Sequence, residues 1–357
     1  MLEPLVDQAR TVDAARLNAL LAPGHPDVDV VGVEVLDASD GSASRLRLAV
    51  DYAPGRDAGL PPTLFCKRNL PRFTFPPEMY ATEVRIYRDV LPHLGIESPE
   101  VYAIESSADD VRFTILMEDL GARPGGRLGI VTEPATPEDV AAVLATLVGV
   151  HAPYWGGDRL DRELPWMRGP TEHPAMRFWQ EIGPRLTHNH LDGGHRAALV
   201  DGRRWPEQAV WRGFARLLAA DDEGPHTLLH GDVHAGNVYY DGRGRGGLID
   251  WQLALRGSWV LDVTYLIITA LDPAARADHE HDLLAGYLSG LRAVGVDPPS
   301  WDEAWLRYRQ NVLYGIAMWL ITPDGVHSDE VQDLSLRRCL VAGDELRTLS
   351  ALGVDDD

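Results

Sequence analysis

Two short polar segments, each flanked by apolar residues, contain side chains that could carry out chemistry. The first contains Asp232 and Asn237, and the second ends in Asp250. Carboxylate and amide oxygens are the ligands that Mg²⁺ prefers. A carboxylate beside such an ion can also orient or deprotonate a hydroxyl group, as phosphoryl transfer requires. The residue types therefore indicate a phosphoryl-transfer site, with Asp232 as base and Asn237 and Asp250 as metal ligands.

The spacing of the two segments predicts how they meet. Residues 241–246 are rich in glycine and charged side chains, which is typical of a turn. We expect the apolar residues on either side to pair antiparallel, with Tyr239 opposite Leu248. That register would place Asn237 opposite Asp250, at the end of the hairpin that continues the first segment.

Lys67 is the only lysine in a chain whose lysines and arginines together number 33. It lies in an apolar run, residues 63–67, that predicts a buried strand. Glu83 lies within the apolar stripe of a helix predicted from 77 to 91. Because a buried carboxylate is costly unless paired, we expect Glu83 to pair with Lys67. The alternatives are that Lys67 lies on an exposed edge and that Glu83 lies at the solvent edge of its stripe.

The order of the apolar patterns predicts an α+β fold. Period-two runs and polar turns dominate the first third of the chain, whereas helical periodicity dominates after Gly121. Strands are predicted at 30–36, 46–50, 63–67, 101–104 and 111–117, with a polar turn at 37–44. Helices are predicted at 12–21, 77–91, 175–186 and 207–220, from a capped start at Thr136, and repeatedly after 275.

Composition and charge exclude several classes of protein. The 357 residues carry a formal net charge of −21, which argues against binding to nucleic acid. No apolar stretch approaches a membrane span, and the N-terminus lacks the pattern of a signal peptide. Cys66 and Cys339 lack the spacing of a disulfide framework or a zinc ribbon. We expect a cytoplasmic protein with neither a membrane nor a nucleic-acid partner.

The motifs resemble those of the aminoglycoside phosphotransferase and choline-kinase-like superfamily, distant relatives of protein kinases. An H-G-D-x-x-x-x-N run at 230–237 and I-D-W at 249–251 carry the resemblance. It implies a bilobal protein-kinase-like fold, with a nucleotide-binding antiparallel sheet lobe at 1–119. The mostly helical lobe at 120–357 would carry catalysis and the acceptor site. Helical elaborations are expected at about 153–225 and 275–350.

The resemblance also implies roles for individual residues and names the ligands. Asp232 would be the catalytic base, Asn237 and Asp250 the Mg²⁺ ligands, Lys67 the phosphate-binding lysine and Glu83 its partner. Gly41, Ser42 and Ser44 would cover the phosphates, the backbone of Glu118 and Leu120 would contact the adenine, and Asp262 would steady the catalytic loop. The implied reaction moves the terminal phosphate of ATP, with GTP an alternative donor, to a hydroxyl of a small molecule.

Two departures from the pattern refine this reading. The loop at 37–44 contains one glycine and lacks the G-x-G-x-x-G of protein kinases. In place of the D-F-G of protein kinases stands D-W-Q at 250–252. The second departure favours the small-molecule branch, and H-A-P-Y-W at 151–155 is most similar to that of ecdysteroid-kinase-like proteins.

Several alternatives remain open at this point. The weak glycine loop is compatible with a nucleotide-binding regulator that has lost catalysis. His226, His230 and His234 recur at every fourth position, which on a helix would suit a metal-dependent hydrolase. In the loop reading, we expect His230 to be structural and His234 to be solvated rather than a substrate contact. Aromatic residues from Trp305 to Trp319 either pack in the core or line an acceptor pocket.

Overall fold

A computed structural model describes residues 12–41, 43–69, 76–202 and 204–354. The chain forms two compact units, residues 1–93 with 98–127 and residues 94–97 with 128–357. An antiparallel sheet dominates the first unit and helices dominate the second. The predicted α+β class is therefore confirmed.

In the described part of the first unit, the strand order of the sheet is β1-β2-β3-β5-β4, with every neighbouring pair antiparallel. The strands are β1 (Val30–Asp40), β2 (Ser44–Tyr52), β3 (Thr63–Arg68), β4 (Val101–Ser106) and β5 (Phe113–Glu118). The helices are α1 (Ala14–Leu21), α2 (Pro77–Arg85) and α3 (Leu91–Leu94). One π-helical turn, Ile86–Val90, joins α2 to α3, so the helix predicted at 77–91 is present with a local widening.

The two faces of this sheet carry different kinds of side chain, because successive side chains along a strand point to opposite faces. Leu46 and Leu64 lie in a buried core with Leu17 of α1. Arg45 is next to Leu46, and Lys67 is next to Cys66 of the same core. Arg45 and Lys67 lie directly opposite each other on β2 and β3 and share the other face. The sheet therefore separates an apolar core from a face that carries cationic side chains.

The connection between β1 and β2 is shorter than predicted. The polar run at 37–44 predicts a turn, but β1 extends to Asp40 and β2 begins at Ser44. A hydrogen bond from the Gly41 N–H to the Ala43 carbonyl, 3.0 Å long, closes the connection. Because β1 is an edge strand, its polar side chains point into solvent without cost. Polarity alone therefore does not distinguish this strand from a turn.

The second unit contains short strands and most of the helices. The strands are β6 (Arg127–Leu128), β7 (Thr227–Leu229), β8 (Val238–Tyr240), β9 (Gly246–Leu248) and β10 (Leu255–Gly257). The helices are α4 (Pro137–His151), α5 (Arg159–Glu163), α6 (Pro174–Leu191), α7 (Glu207–Asp221), α8 (Val260–Ala270), α9 (Pro273–Ala293), α10 (Trp301–Ile321), α11 (Asp329–Glu345) and α12 (Thr348–Ala351). β7 pairs with β10 and β8 with β9, both antiparallel.

The capping box predicted at Thr136 is present. The Thr136 hydroxyl accepts the Asp139 N–H, and the Asp139 carboxylate accepts the Thr136 N–H, each at 3.2 Å. Two backbone donors at the start of α4 are thereby satisfied. Proline at the first helical position adds a preset φ angle, so local sequence alone defines this helix start.

Helix α10 lies at the centre of the second unit and packs against α6, α7, α8 and α11. Tyr308 and Trp319 are buried, as expected if the aromatic stripe packs in the core. Trp305 is partly buried and stacks on Trp301 and Tyr308. Across residues 12–41, 43–69, 76–202 and 204–354, no helix is both long and apolar enough to cross a lipid bilayer.

The contact between α6 and α7 allows a test of the packing with two matched glycines. A Cβ at Gly183 of α6 would overlap the ring of Trp211 on α7, whereas a Cβ at Gly286 of α9 would meet nothing within 4 Å. We expect Gly183→Ala to destabilise the fold by about 1–3 kcal/mol through overpacking. Gly286→Ala should stabilise it by about 0.5–1 kcal/mol through helix propensity. Thermal unfolding of both variants checks the pair, and equal midpoints would contradict the described packing.

Candidate functional site

The loop between β7 and β8 carries Asp232, and buried hydrogen bonds fix its start. The backbone N–H groups of His230 and Gly231 donate to the two carboxylate oxygens of Asp262, at 2.7 and 2.8 Å. Asp262 lies in the first turn of α8 and has no exposed surface. The carbonyl of Gly231 accepts the Tyr314 hydroxyl of α10 at 2.8 Å. Two helices therefore hold the base of the loop, and Asp262 has the position that the resemblance implies.

Glycine is required at position 231 by the shape of the backbone. Gly231 has a φ angle of +82°, in the region that side chains rarely adopt. A Cβ there would also overlap the carbonyl oxygen of Leu253. The glycine of the H-G-D run thus allows the chain to turn between the anchored residue His230 and Asp232.

His230 is structural, as predicted. Its Nε2 lies 2.9 Å from the carbonyl of Ile249, and its Nδ1 accepts the Asp232 N–H at 3.2 Å. Both ring nitrogens are therefore committed within the loop. His226 precedes β7 and His234 follows the turn, so the three histidines do not share a helical face. The geometry that a histidine-based hydrolase would need is not formed by these residues.

Asn237 holds the Asp232 side chain in place through hydrogen bonds. Its amide nitrogen donates to the Asp232 carbonyl at 2.9 Å and to Oδ2 of the carboxylate at 3.0 Å. Since that nitrogen is committed, the amide oxygen of Asn237 is the atom that could bind a cation. Burial, and next the charge of Asp250, raise the pKa of Asp232, although Asn237 opposes the shift. Burial and a second negative charge thus both disfavour the ionised form of Asp232.

The hairpin register differs by one residue from the prediction. Tyr239 lies opposite Gly247 and not opposite Leu248. The ring of Tyr239 occupies the space that any side chain at 247 would need, so glycine suits this pairing. The Ile249 N–H donates to the Asn237 carbonyl at 3.0 Å. Asn237 therefore lies opposite Ile249, and the predicted pairing of Asn237 with Asp250 across the hairpin is wrong.

Asp250 follows the hairpin in a strained backbone conformation. Its φ and ψ angles are +66° and +64°, in the left-handed region. A residue other than glycine there costs on the order of 1 kcal/mol or more, and such strain concentrates at functional sites. The chain leaves the strand at this residue, so Asp250 is outside the ladder but adjacent to its end. After burial, the charge of Asp250 is the second cause of the raised pKa of Asp232.

His234 is buried, so the expectation of a solvated side chain is wrong. Its ring makes edge contacts with Trp319 of α10 and with His327, at centroid distances of 5.7 and 6.1 Å. Nδ1 accepts the Gly236 N–H at 3.0 Å, which places the ring proton on Nε2. Burial lowers the pKa of His234 to about 3, so the imidazole is neutral at neutral pH. Its Nε2 lies 3.8 Å from Oδ2 of Asp232, beyond hydrogen-bond distance.

Lys67 and Glu83 form a buried ion pair in the first unit. Lys67 Nζ lies 2.6 Å from Glu83 Oε1, and the residues are 4% and 1% exposed. Lys67 lies on β3 between Arg45 of β2 and Ile115 of β5, while Glu83 lies on α2. The two alternatives, an exposed lysine and a glutamate at the solvent edge, do not fit this burial.

The segment predicted to contact adenine lies at the end of β5. The Glu118 N–H donates to the Glu100 carbonyl at 2.8 Å, so an adenine contact cannot use that group. The Glu118 carboxylate pairs with Arg123 at 2.6 Å. Leu120 begins a short 3₁₀ turn, and the preceding Asp119 caps this turn through the Gly121 N–H at 3.1 Å. Local hydrogen bonds therefore fix the backbone of this segment.

Of the residues predicted to cover the phosphates, Gly41 and Ser44 lie at or beside the connection between β1 and β2. Gly41 lies in the connection between β1 and β2, and Ser42 lies outside the described residues. Ser44 is fully buried and alternates with Leu46 on the core face, opposite to the face of Lys67. Its hydroxyl therefore cannot reach a phosphate on that other face, and a contact from Ser44 would be limited to its backbone.

The sequence analysis assigned no role to His151, which supports Asp262 from a third element. His151, at the end of α4, has no exposed surface. Its Nε2 lies 3.2 Å from Oδ2 of Asp262 and its Nδ1 2.6 Å from the Tyr287 hydroxyl. A signal was present, because His151 continues the buried stripe of α4 one turn beyond Leu147. A polar residue in such a stripe needs a buried partner.

Three solved structures share this fold over nearly the whole chain. A spectinomycin phosphotransferase in complex with ADP and spectinomycin has a TM-score of 0.52 at 15% identity, covering 93% of this chain and 98% of that chain. Choline kinase LicA from Streptococcus pneumoniae also has a TM-score of 0.52 at 15% identity, covering 88% and 94%. A macrolide 2'-phosphotransferase type I has a TM-score of 0.50 at 17% identity, covering 94% and 98%. The protein therefore has the protein-kinase-like fold of these phosphotransferases.

Sequence comparison identifies the family. No curated protein matches the chain in a sequence search. The family model described as the phosphotransferase enzyme family matches residues 58–296. The chain belongs to this family, and the predicted superfamily of aminoglycoside phosphotransferases and choline kinases is confirmed.

The role of Asp262 as the anchor of the loop can be tested by stability. In Asp262→Asn, one of the two backbone N–H donors would face an amide NH₂ instead of a carboxylate oxygen. We expect a loss of about 2–3 kcal/mol in the free energy of unfolding, measured with denaturant. The control is Asp282→Asn, at an exposed position of α9, which should be neutral. An Asp262→Asn protein as stable as this control would contradict the anchoring role.

Proposed function

We propose that the protein transfers the terminal phosphate of ATP to a hydroxyl group of a small molecule, with Mg²⁺ bound by Asn237 and Asp250. The observation that carries this proposal is the Asp232 carboxylate, which Asn237 clamps on a loop anchored to Asp262. A base held at a defined position is what transfer to a hydroxyl requires. Membership of the phosphotransferase enzyme family supports the same chemistry.

The donor set fits a hard divalent cation. Asn237 offers an amide oxygen and Asp250 a carboxylate, and both are hard oxygen donors. The raised pKa of Asp232 reflects its burial and the negative charge of Asp250, which a bound cation would offset. When bound, Mg²⁺ would neutralise charge on the phosphate oxygens. The residues present therefore fit the ion that the family resemblance implies.

In the proposed reaction, Asp232 orients the acceptor hydroxyl and takes its proton. Asn237 occupies Oδ2 of the carboxylate, so Oδ1 is the atom left for the hydroxyl. The acceptor oxygen forms a bond to the γ-phosphorus, and the bond from that phosphorus to the β–γ bridging oxygen breaks. The products are the phosphorylated acceptor and ADP, with the proton on Asp232.

Lys67 is proposed to hold the phosphates of the nucleotide. It carries a compact positive charge, and Glu83 fixes its ammonium group at 2.6 Å. A point charge that is held in this way can neutralise phosphate oxygens without changing its own geometry during the reaction. Glu83 is thus a positioning residue in this proposal, and the Glu118 carbonyl and the backbone of Leu120 would contact the adenine.

The acceptor class can be found by a screen. The structural relatives named above are described as acting on spectinomycin, choline and macrolides, and all are small molecules. We propose that this protein likewise takes a small-molecule hydroxyl acceptor. Phosphate transfer from ATP would be measured on aminoglycosides, macrolides, steroids, amino alcohols and sugars, with Asp232→Asn as the blank. ATP binding without transfer to any acceptor would instead favour a regulator that has lost catalysis.

Asp232→Asn should nearly abolish phosphate transfer and leave nucleotide binding largely intact. The amide cannot accept the hydroxyl proton, so we expect a loss of about 10²–10⁴-fold in kcat. Turnover is measured with the best acceptor of the screen, and nucleotide binding by calorimetry. The control is Asp278→Asn at an exposed position of α9. Turnover within a few-fold of the wild type would refute the assignment of the base.

Lys67→Arg should also fail, although it preserves the charge. The guanidinium is a wide fork with five N–H donors, whereas the group that it would replace is a compact ammonium 2.6 Å from Glu83 Oε1 in a buried position. We expect ATP affinity and turnover each to fall by about tenfold or more. The control is the reverse exchange at an exposed site, Arg56→Lys, which should leave both unchanged. An active Lys67→Arg enzyme with normal ATP affinity would refute the point-charge argument.

A further inference from the structure

Two cationic side chains lie directly opposite each other on the sheet of the first unit. Arg45 of β2 pairs with Lys67 of β3, so their side chains leave the same face of neighbouring strands. Cβ atoms of such pairs are about 5 Å apart, and like charges in this arrangement destabilise a sheet. Glu83 offsets the charge of Lys67. The charge of Arg45 therefore needs a separate explanation.

Among the described residues, Arg45 has no hydrogen-bonding or charged partner. Over the described ranges, Arg45 makes no ion pair or hydrogen bond, and its Nε atom is buried without a partner. The next arginine on the same face, Arg47, is different, because its Nε donates to the Asp119 carboxylate at 2.6 Å. A buried guanidinium N–H without a partner is costly. Its donors are available to a ligand, and the ligand must be an acceptor.

The end of the Arg45 side chain reaches the connection between β1 and β2. Its Nη2 atom lies where a Cβ at Gly41 would be, so the only glycine of the loop leaves room for the guanidinium. In protein-kinase-like folds this connection covers the phosphates through backbone amides of a glycine-rich loop. Here the loop has one glycine, and that glycine accommodates a cationic side chain.

We propose that Arg45 is a second phosphate-binding cation, which grips the polyphosphate chain of the nucleotide and replaces much of the missing glycine-rich loop. The inference rests on the proposed function, because it assigns the ligand of the same nucleotide site. A guanidinium can donate two parallel hydrogen bonds to phosphate oxygens, and it keeps its charge at every working pH. Lys67 and Arg45 then bind the same anion from neighbouring strands, and the anion relieves their mutual repulsion.

The test compares ligands that differ only in their phosphates. Calorimetry with Arg45→Gln is run against ATP, AMP and inorganic tripolyphosphate, each with Mg²⁺. We expect affinity for ATP and for tripolyphosphate to fall about tenfold or more, while affinity for AMP stays within about twofold. The matched control is Arg56→Gln, which removes the same charge at an exposed site whose Nε donates to the Asp27 carbonyl. It should leave all three affinities unchanged.

Stability separates a ligand-binding role from a structural one. Removal of Arg45 relieves repulsion from Lys67, so the unfolding midpoint of ligand-free Arg45→Gln should equal or exceed that of the wild type. A lower midpoint together with unchanged ATP affinity would overturn the proposal and make Arg45 structural. Unchanged affinity for both ATP and tripolyphosphate would also overturn it, while the proposed phosphotransferase function would stand.

The two proposals can fail separately. If the wild type binds tripolyphosphate but not ATP, and Arg45→Gln weakens the tripolyphosphate binding, the anion site is supported and the nucleotide assignment fails. If the wild type binds ATP and Arg45→Lys restores most of the affinity lost in Arg45→Gln, a cation at this position is what the phosphates require. Arg45→Lys could instead bind ATP and tripolyphosphate as poorly as Arg45→Gln. That result would also support the proposal, and it would show that the phosphates require the two parallel hydrogen bonds of a guanidinium and not only a positive charge.

Discussion

The carboxylate of Asp262 accepts the backbone N–H groups of His230 and Gly231 and has no contact with solvent. A charged group buried in this way costs several kcal/mol unless donors surround it. The chain can therefore bury Asp262 only if it also turns two consecutive amides toward α8. That requirement fixes the start of the loop and, through the left-handed Gly231, the direction in which the loop leaves for Asp232. The position of the proposed base is thus set by an acid that takes no part in the chemistry.

Asp232 and Asp250, the two carboxylates of the candidate site, lie in energetically unfavourable environments. Burial, and next the charge of Asp250, raise the pKa of Asp232, and Asp250 also has a left-handed backbone. Neither feature stabilises the fold, and the left-handed backbone at a residue other than glycine costs on the order of 1 kcal/mol or more. Both are tolerated because Asp262, His151 and Tyr314 hold the loop rigidly from three helices. The hydrogen bonds of Asp262 stabilise the fold, and they offset the unfavourable burial of Asp232 and the unfavourable backbone of Asp250.

The sequence predicted the features that depend on local anomalies. Lys67 and Glu83 each break an apolar pattern, so their pairing followed from the cost of burying either alone. The hairpin register did not follow, because the glycines of β9 have no side chains to show which face they occupy. His234 looked solvated because the partner that buries it, Trp319, lies far along the chain. A residue that is buried by a helix far along the chain, such as His234, has no signal in its own sequence neighbourhood. A charged residue that interrupts an apolar pattern, such as Glu83, is itself a signal, because it needs a partner.

The cations at positions 67 and 45 lie opposite each other on neighbouring strands but differ in shape and in surroundings. At 67, a carboxylate that is 1% exposed holds a compact ammonium at 2.6 Å, and a guanidinium would bring a wider group with five N–H donors into this buried position. At 45, the guanidinium lies beside Gly41, at the connection between β1 and β2, and its donors can meet an incoming anion. Position 67 therefore favours the compact ammonium of lysine, and position 45, on the neighbouring strand, favours the planar guanidinium of arginine. The single lysine of the chain thus fits a compact buried position beside Glu83, and the proposed role of Arg45 would compensate for the glycine-poor loop.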